Sequence, residues 1–403
     1  MSIQGYLGID VAKDSFTVCF LLVDEAQDHI LSQETATFSM DQPGWLAFRT
    51  QWQALPTSSW TVGLEASGPY SRLLEAHLAP LPYPTFRLSP LQVRRFAQSR
   101  SLRKTKTDSI DARTLAHFLR QQHHQPPPVP PLQPHLTARP LARLEEDLTA
   151  QLTRTQNQFR QLLHTLFPEL ERRFRRFPKA IRRILHHYPS AHAIAQANPQ
   201  HLRTLLAQGP GKLPALTVED LQSLARTSFG FPDPTLTLAL QHLLSLWDLL
   251  EQHRRQVRQQ LQTWAQQHHP QAFALLTAIP GIGPLMAARF LALIGSLARF
   301  PNRKALIAYA GLDPTLYQSG RFHGRSRLSK RGHPALRHLL FLMAQALVRH
   351  TRRFQSAFHS YRQQGRPYRE TLVILARKAL SMLYTLLIRM IPFQDLPPQT
   401  VSH

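Results

Sequence analysis

The period of the hydrophobic and polar positions changes along this 403-residue chain, and the changes divide it. Short β-prone runs at 6–10, 16–23 and 35–39 come first. A helical pattern at 44–54, a run at 60–64, a helix at 71–79, a run at 85–88 and a helix at 109–120 follow. Three strands and then alternating helix and strand is the element order of an RNase H-like α/β domain, which we place at 1–125. Residues 126–134, PPPVPPLQP, cannot be helix or central strand and predict a stiff, extended linker. Beyond it the period is helical. Leu141, Leu144, Leu148, Leu152, Thr155, Phe159, Leu162 and Leu166 step by threes and fours. Leu236, Leu240, Leu243, Trp247, Leu250, Arg254, Val257, Leu261 and Trp264 alternate steps of four and three, with Arg254 the only polar member. These predict two long coiled-coil helices in a region at 135–270, with a small helical insert at 178–235 carrying a GPGKLP turn. The spacing serves equally for packing within one chain and for joining two protomers.

A C-terminal helical domain is expected at 271–403. LLTAIPGIGPLMAARFLALIG contains a helix, the turn Pro280-Gly281-Ile282-Gly283 and a second helix from Pro284, the order of a helix-hairpin-helix. There, Gly281 and Gly283 would let backbone approach a phosphate, and the next helix's first amides would bind it. A tight turn needed only for packing is the alternative. The apolar run 372–391 carries Arg377, Lys378 and Arg389, and so predicts a core helix and not a membrane span.

Composition narrows the function. Lys and Arg number 48 against 24 Asp and Glu, a formal charge of +24, which points to a polyanionic partner. A hydrophobic content of 43% excludes a disordered basic tail. The single cysteine, Cys19, excludes a disulfide framework and a cysteine zinc site. The 21 histidines include the doublets His123-His124, His186-His187 and His268-His269 but no zinc-ligand spacing. The charged residues Asp10, Lys13 and Asp14 interrupt the apolar N-terminal run, so no signal peptide is expected and the location is cytoplasmic.

In so basic a chain, four acids stand out. Asp10 ends a strand in LGIDVAK and Glu65 ends another in VGLEASG, where a ligand can reach the rim of a sheet. Asp108 and Asp111 in KTDSIDA are three apart at a helix start, on one face near its positive end. Two magnesium or manganese ions held by such carboxylates could stabilise the entering and leaving oxygens of a phosphoryl transfer. Arg103, Lys104 and Lys106 would hold the phosphate backbone beside them. A second constellation is the Gly-rich basic loop from Gly311 to Gly332. It carries Ser319 within YQSG, and then Arg321, Arg325, Arg327, Lys330 and Arg331. Ser319 is either a nucleophile or a turn residue in a loop that contacts DNA, and Ser326 and Ser329 compete with it.

The motifs LGIDVAK, VGLEASGPY, KTDSIDARTLAHF, AIPGIGPLMAARFLALIG, AYAGLDP, YQSG and SKRGHPALR, in this order, closely resemble the DEDD transposases of bacterial insertion sequences. The resemblance is to the one-ten family and, within it, the eleven-eleven subgroup. It covers both ends of the chain, while 135–270 matches in helical character only. Ser67 and His333 stand where Thr and Asn are more usual. The resemblance implies a RuvC-like N-terminal domain with Asp10, Glu65, Asp108 and Asp111 as its metal-holding acids, and a C-terminal transposase domain with Ser319 as its nucleophile. It also implies a covalent phosphoserine link to DNA and dimers that pair into tetramers. The RuvC-like domain of one protomer would meet the serine domain of another. A structured bridge RNA would pair with donor and target DNA. The rival expectations are a Holliday-junction nuclease, which would not need the serine domain, and a non-catalytic scaffold, which would not need the acids.

Overall fold

A computed structural model describes residues 3–57, 59–65, 68–100, 107–121, 138–208, 216–315, 318–319, 322–323, 327–329 and 331–395. The chain divides into two compact units, Met1–Thr137 and Ala138–His403.

The first unit is α/β. Its elements are β1 (Ile3–Val11), β2 (Ser15–Asp24), β3 (His29–Ser39), α1 (Gln42–Gln53), β4 (Trp60–Glu65), α2 (Pro69–Leu78), β5 (Thr85–Leu88), α3 (Pro90–Arg100) and α4 (Asp108–Gln121). The sheet order is β3-β2-β1-β4-β5, with β2 antiparallel to both β1 and β3, and β1, β4 and β5 parallel. The strand period of two sends alternate residues into different cores. Leu7, Ile9, Phe16, Val18 and Phe20 pack with Phe48, Trp52 and Trp60. Tyr6, Cys19, Leu21 and Val23 pack with Ala112, Leu115 and Leu119 of α4. Cys19 is buried and unpaired, as expected. The element absent from the sequence reading is α3. Only Val93 of it is buried, so its apolar period is faint, although Ser89-Pro90 is a recognisable helix start.

The second unit is largely helical. It runs α5 (Arg139–Leu166), α6 (Pro168–Arg173), α7 (Lys179–His187), α8 (Ala191–Gln196), α9 (Pro199–Ala207), α10 (Val218–Arg226), α11 (Pro234–His268), α12 (Pro270–Thr277), α13 (Pro284–Ile294) and α14 (Arg303–Ala310). Four two-residue strands follow, β6 (Pro314–Thr315), β7 (Gln318–Ser319), β8 (Phe322–His323) and β9 (Arg327–Leu328). Helices α15 (Pro334–His350), α16 (Arg352–Gln363) and α17 (Tyr368–Arg389) complete it. The long helices α5 and α11 pack on each other within the chain, with Leu148, Leu152 and Phe159 meeting Leu240, Leu244 and Trp247 in one core. α17 is long and apolar enough to cross a membrane by length and composition. Leu375, Leu380, Leu383 and Leu387 on it are nevertheless buried in the unit's other core. The GPGKLP turn and the 126–134 linker lie outside the described residues.

The coiled-coil seam departs from its expected positions. On α5 Leu144 is 45% exposed while Glu145 is 1% exposed, and Leu163 replaces Leu162 in the core. On α11 Leu244 replaces Leu243. Consecutive four-residue steps rotate the apolar stripe by part of a turn, which a strict heptad misplaces by one residue. Glu145 can be buried because Arg258 reaches it at 2.7 Å and Arg289 of α13 at 3.4 Å. Two cations compensate one desolvated carboxylate.

Candidate active site

Asp10 and Glu65 are neighbours because β1 and β4 are parallel and in register. The last pair is Ile9 with Leu64, so each acid is the next residue on its strand. α4 lies directly across β1. A Cβ on Gly8 would stand 2.3 Å from the Ala116 nitrogen and 2.4 Å from the Ala112 oxygen, so only glycine permits that approach. Thr107 starts the helix, its hydroxyl accepting from the Ile110 N–H at 3.3 Å and its carbonyl from the Asp111 N–H at 2.9 Å. Asp108 and Asp111 occupy the first turn.

The charges of the other three acids all act on Asp10. Asp10 is half-buried, and its carboxyl is pushed up from 3.8 to about 6. Burial is the largest cause, and the charges of Asp111, Asp108 and Glu65 follow. An oxygen-only set of this charge suits a hard divalent cation. Among the described residues no three His, Cys, Asp or Glu side chains already stand together as a ready-made metal cage. The set fits such an ion in donor chemistry and charge.

The serine loop is pinched at its base. Gly311 caps α14 with φ +67°, and a Cβ on Gly332 would stand 2.2 Å from the Gly311 nitrogen. Ser319 is in β7, opposite Phe322 of β8. Ser329 donates its hydroxyl to Asp313, and its backbone N–H reaches the Asp313 carbonyl at 3.0 Å. That pair braces the loop. Arg331 is exposed. Arg103, Lys104, Lys106, Arg321, Arg325, Lys330 and Ser326 lie outside the described residues, as does the side chain of Arg327. Gly281 and Gly283 form the turn into α13, Gly281 with φ +89°. A Cβ on Gly281 would stand 3.0 Å from the Ala346 oxygen of α15, so packing also requires that glycine. Gly283 has open space around it.

One basic cluster was not legible in the sequence. Arg139 donates to the Tyr309 hydroxyl at 2.8 Å, and Arg299 lies over the Tyr309 ring at 4.8 Å. His333 stands beside that ring and caps α15 by accepting from the Leu336 N–H. Its imidazole is held below the usual histidine range by burial and then by Arg139, Arg143, Arg299 and Arg337. The cluster flanks Gly332 at the loop base. Arg139 and Tyr309 alone are 170 residues apart, and no local pattern links the members.

A family model described as "Transposase IS116/IS110/IS902 family" matches residues 273–359. A DEDD-type IS110 model described as "Transposase" matches 7–168. The insertion element IS110 43.6 kDa protein of Streptomyces coelicolor is 28% identical over 297 residues, covering 70% of this chain and 71% of its own. The pilin gene-inverting protein of Moraxella lacunata is 26% identical over 395 residues, 97% of this chain and 98% of its own. The transposase for insertion sequence element IS1111A of Coxiella burnetii is 33% identical over 115 residues, 28% of this chain and 32% of its own.

Proposed function

The chain belongs to the IS110 family of transposases, and from that premise we propose that it cuts and rejoins DNA with a RuvC-like carboxylate site and a serine nucleophile, guided by a structured RNA. The observation that carries the reading is the raised Asp10 carboxyl, half-buried at the end of β1 and pushed up by burial and then by the charges of Asp111, Asp108 and Glu65. Such like charge is costly in a bare protein and is relieved by a bound cation. The sheet order β3-β2-β1-β4-β5 supports an RNase H-like assignment for the unit that carries it. The similarity to the IS1111A transposase supports the eleven-eleven subgroup.

Asp10, Glu65, Asp108 and Asp111 would hold the metal. Two magnesium or manganese ions would supply charge stabilisation to the phosphoryl group in flight. Ser319 attacks a DNA phosphorus, forming a serine phosphodiester as a deoxyribose hydroxyl leaves, and the reverse attack rejoins the strands. The arginines around Tyr309 and His333 at the loop base hold phosphates near the serine. Donor and target DNA and a bridge RNA are the partners, and protomers pair as dimers into a tetramer. The protein acts in the cytoplasm, at the DNA. Strand exchange between oppositely oriented sites would invert the DNA between them, in keeping with the name of the pilin gene-inverting relative.

The test is to trap the protein on a donor or target duplex and map the modified peptide. An adduct on Ser319 that Ser319→Ala abolishes, with nucleic-acid binding retained, supports the assignment. A link to Ser326 or Ser329, or an adduct that persists in Ser319→Ala, refutes it. RNA co-purified from cells carrying the whole element should be one structured species. Random host RNA, with recombination by RNA-free protein, refutes guidance.

A further inference from the structure

Among the described residues the two most exposed large apolar side chains stand two positions apart. Phe229 is 93% exposed and Phe231 65%, in the turn between α10 and α11. The turn itself is firmly tied down. The Phe229 N–H donates to Glu169 at 3.0 Å, the Gly230 N–H to the Ser228 hydroxyl at 3.0 Å and the Phe231 N–H to the Thr165 carbonyl at 2.9 Å. Ser228 donates its own hydroxyl to Glu169. A Cβ on Gly230 would stand 2.3 Å from the Leu166 oxygen, so the turn sits flush on the end of α5. Asp233 then caps α11.

Every one of these contacts is made by backbone or by the side chains of Ser228, Glu169 and Asp233. None uses a phenyl ring, so polar residues at 229 and 231 would serve the turn as well and would not expose apolar surface to water. Single exposed apolar residues are ordinary, but two aromatic rings held out on one fixed turn are not explained by folding. Beside the carboxylates of Glu169 and Asp233, the turn has two arginines near it in sequence and fold. Arg226 ends α10 three residues before Phe229, and Arg172 lies on α6 three residues after the Glu169 that accepts from the turn; both arginines are exposed. A pair of exposed aromatic rings on a fixed turn, with exposed arginines on the adjoining helices, matches the chemistry of an unpaired nucleobase on its phosphate backbone.

We propose that Phe229 and Phe231 form a stacking platform for unpaired bases of a single-stranded nucleic acid, with Arg172 and Arg226 taking the adjoining phosphates. This rests on the nucleic-acid reading above. A duplex keeps its bases stacked and offers the platform nothing.

The experiment uses the full chain and fluorescent oligo-U RNA, oligo-dT DNA and a blunt DNA duplex. Phe229→Ala and Phe231→Ala should each weaken single-strand binding about tenfold, and duplex binding by less than twofold. The salt dependence of single-strand binding should keep its slope, since no phosphate contact is removed. Phe229→Trp should restore binding, and the melting temperature of every variant should match the parent. Loss with RNA alone, with DNA alone or with both supports the platform and identifies its strand. Unchanged single-strand binding in the double alanine variant overturns it, as does an equal loss on the duplex. A change in oligomeric state would instead make the rings a contact between copies, and also overturns it. A parent protein that binds none of the three probes would refute the function proposed above.

Discussion

Replacing Asp10 by Asn should stabilise the metal-free protein while abolishing strand exchange. In the folded chain the Asp10 carboxyl is raised from 3.8 to about 6. The folded state therefore binds this proton more tightly than the unfolded chain does. Stability contributed by the protonated carboxyl is complete below pH 4, declines as pH rises toward 6, and is lost above it. A difference of about 2 units is worth about 3 kcal/mol. Asp10 is only half-buried, and solvent screens its three neighbours, so about 1–3 kcal/mol is the expected gain at pH 7.5. Chemical unfolding with a chelator present, followed on the unit that contains Trp45, Trp52 and Trp60, reads it directly. The advantage of Asp10→Asn should shrink as pH falls toward 4. Added magnesium should stabilise the parent more than the variant. A variant that is less stable than the parent at pH 7.5 in chelator would refute the reasoning, because Asp10 would then be held by favourable contacts and not strained by like charge.

Gly8→Ala should cost about 2–4 kcal/mol, because the new methyl meets backbone of α4 at 2.3–2.4 Å and cannot be accommodated by rotating a side chain; urea unfolding measures it, and recombination should fall as Asp108 and Asp111 shift. Glu145→Ala should cost about 3–5 kcal/mol by leaving Arg258 and Arg289 without their shared carboxylate, and a neutral result in the same assay would contradict the burial described. Ser329→Ala should cost about 1–2 kcal/mol by removing the brace to Asp313 while still allowing the covalent adduct, which separates it from Ser319→Ala.

Much of the first unit was legible in the sequence because strand and helix periods are local properties. β1, β2, β4, β5 and α4 stand within a few residues of their expected limits, while β3 begins earlier than its apolar run because an edge strand alternates with polar residues. That Asp10 and Glu65 end strands could be read from their motifs. That they are adjacent follows from the parallel register of β1 and β4, and that α4, with Asp108 and Asp111 in its first turn, lies close against β1 follows from the missing Cβ at Gly8. In the second unit the sequence determined two long amphipathic helices and a glycine-bounded loop. Only the tertiary structure decided which residues their faces bury. Glu145 enters the core in preference to Leu144 because two arginines from distant helices converge on it, and Arg139 joins Tyr309 across 170 residues. Phe229 and Phe231, which composition alone would assign to a core, stand in water because the turn that carries them is fixed by backbone hydrogen bonds that any side chain would allow. Periodicity is set by neighbours in sequence. Charge pairing and exposure are set by neighbours in space.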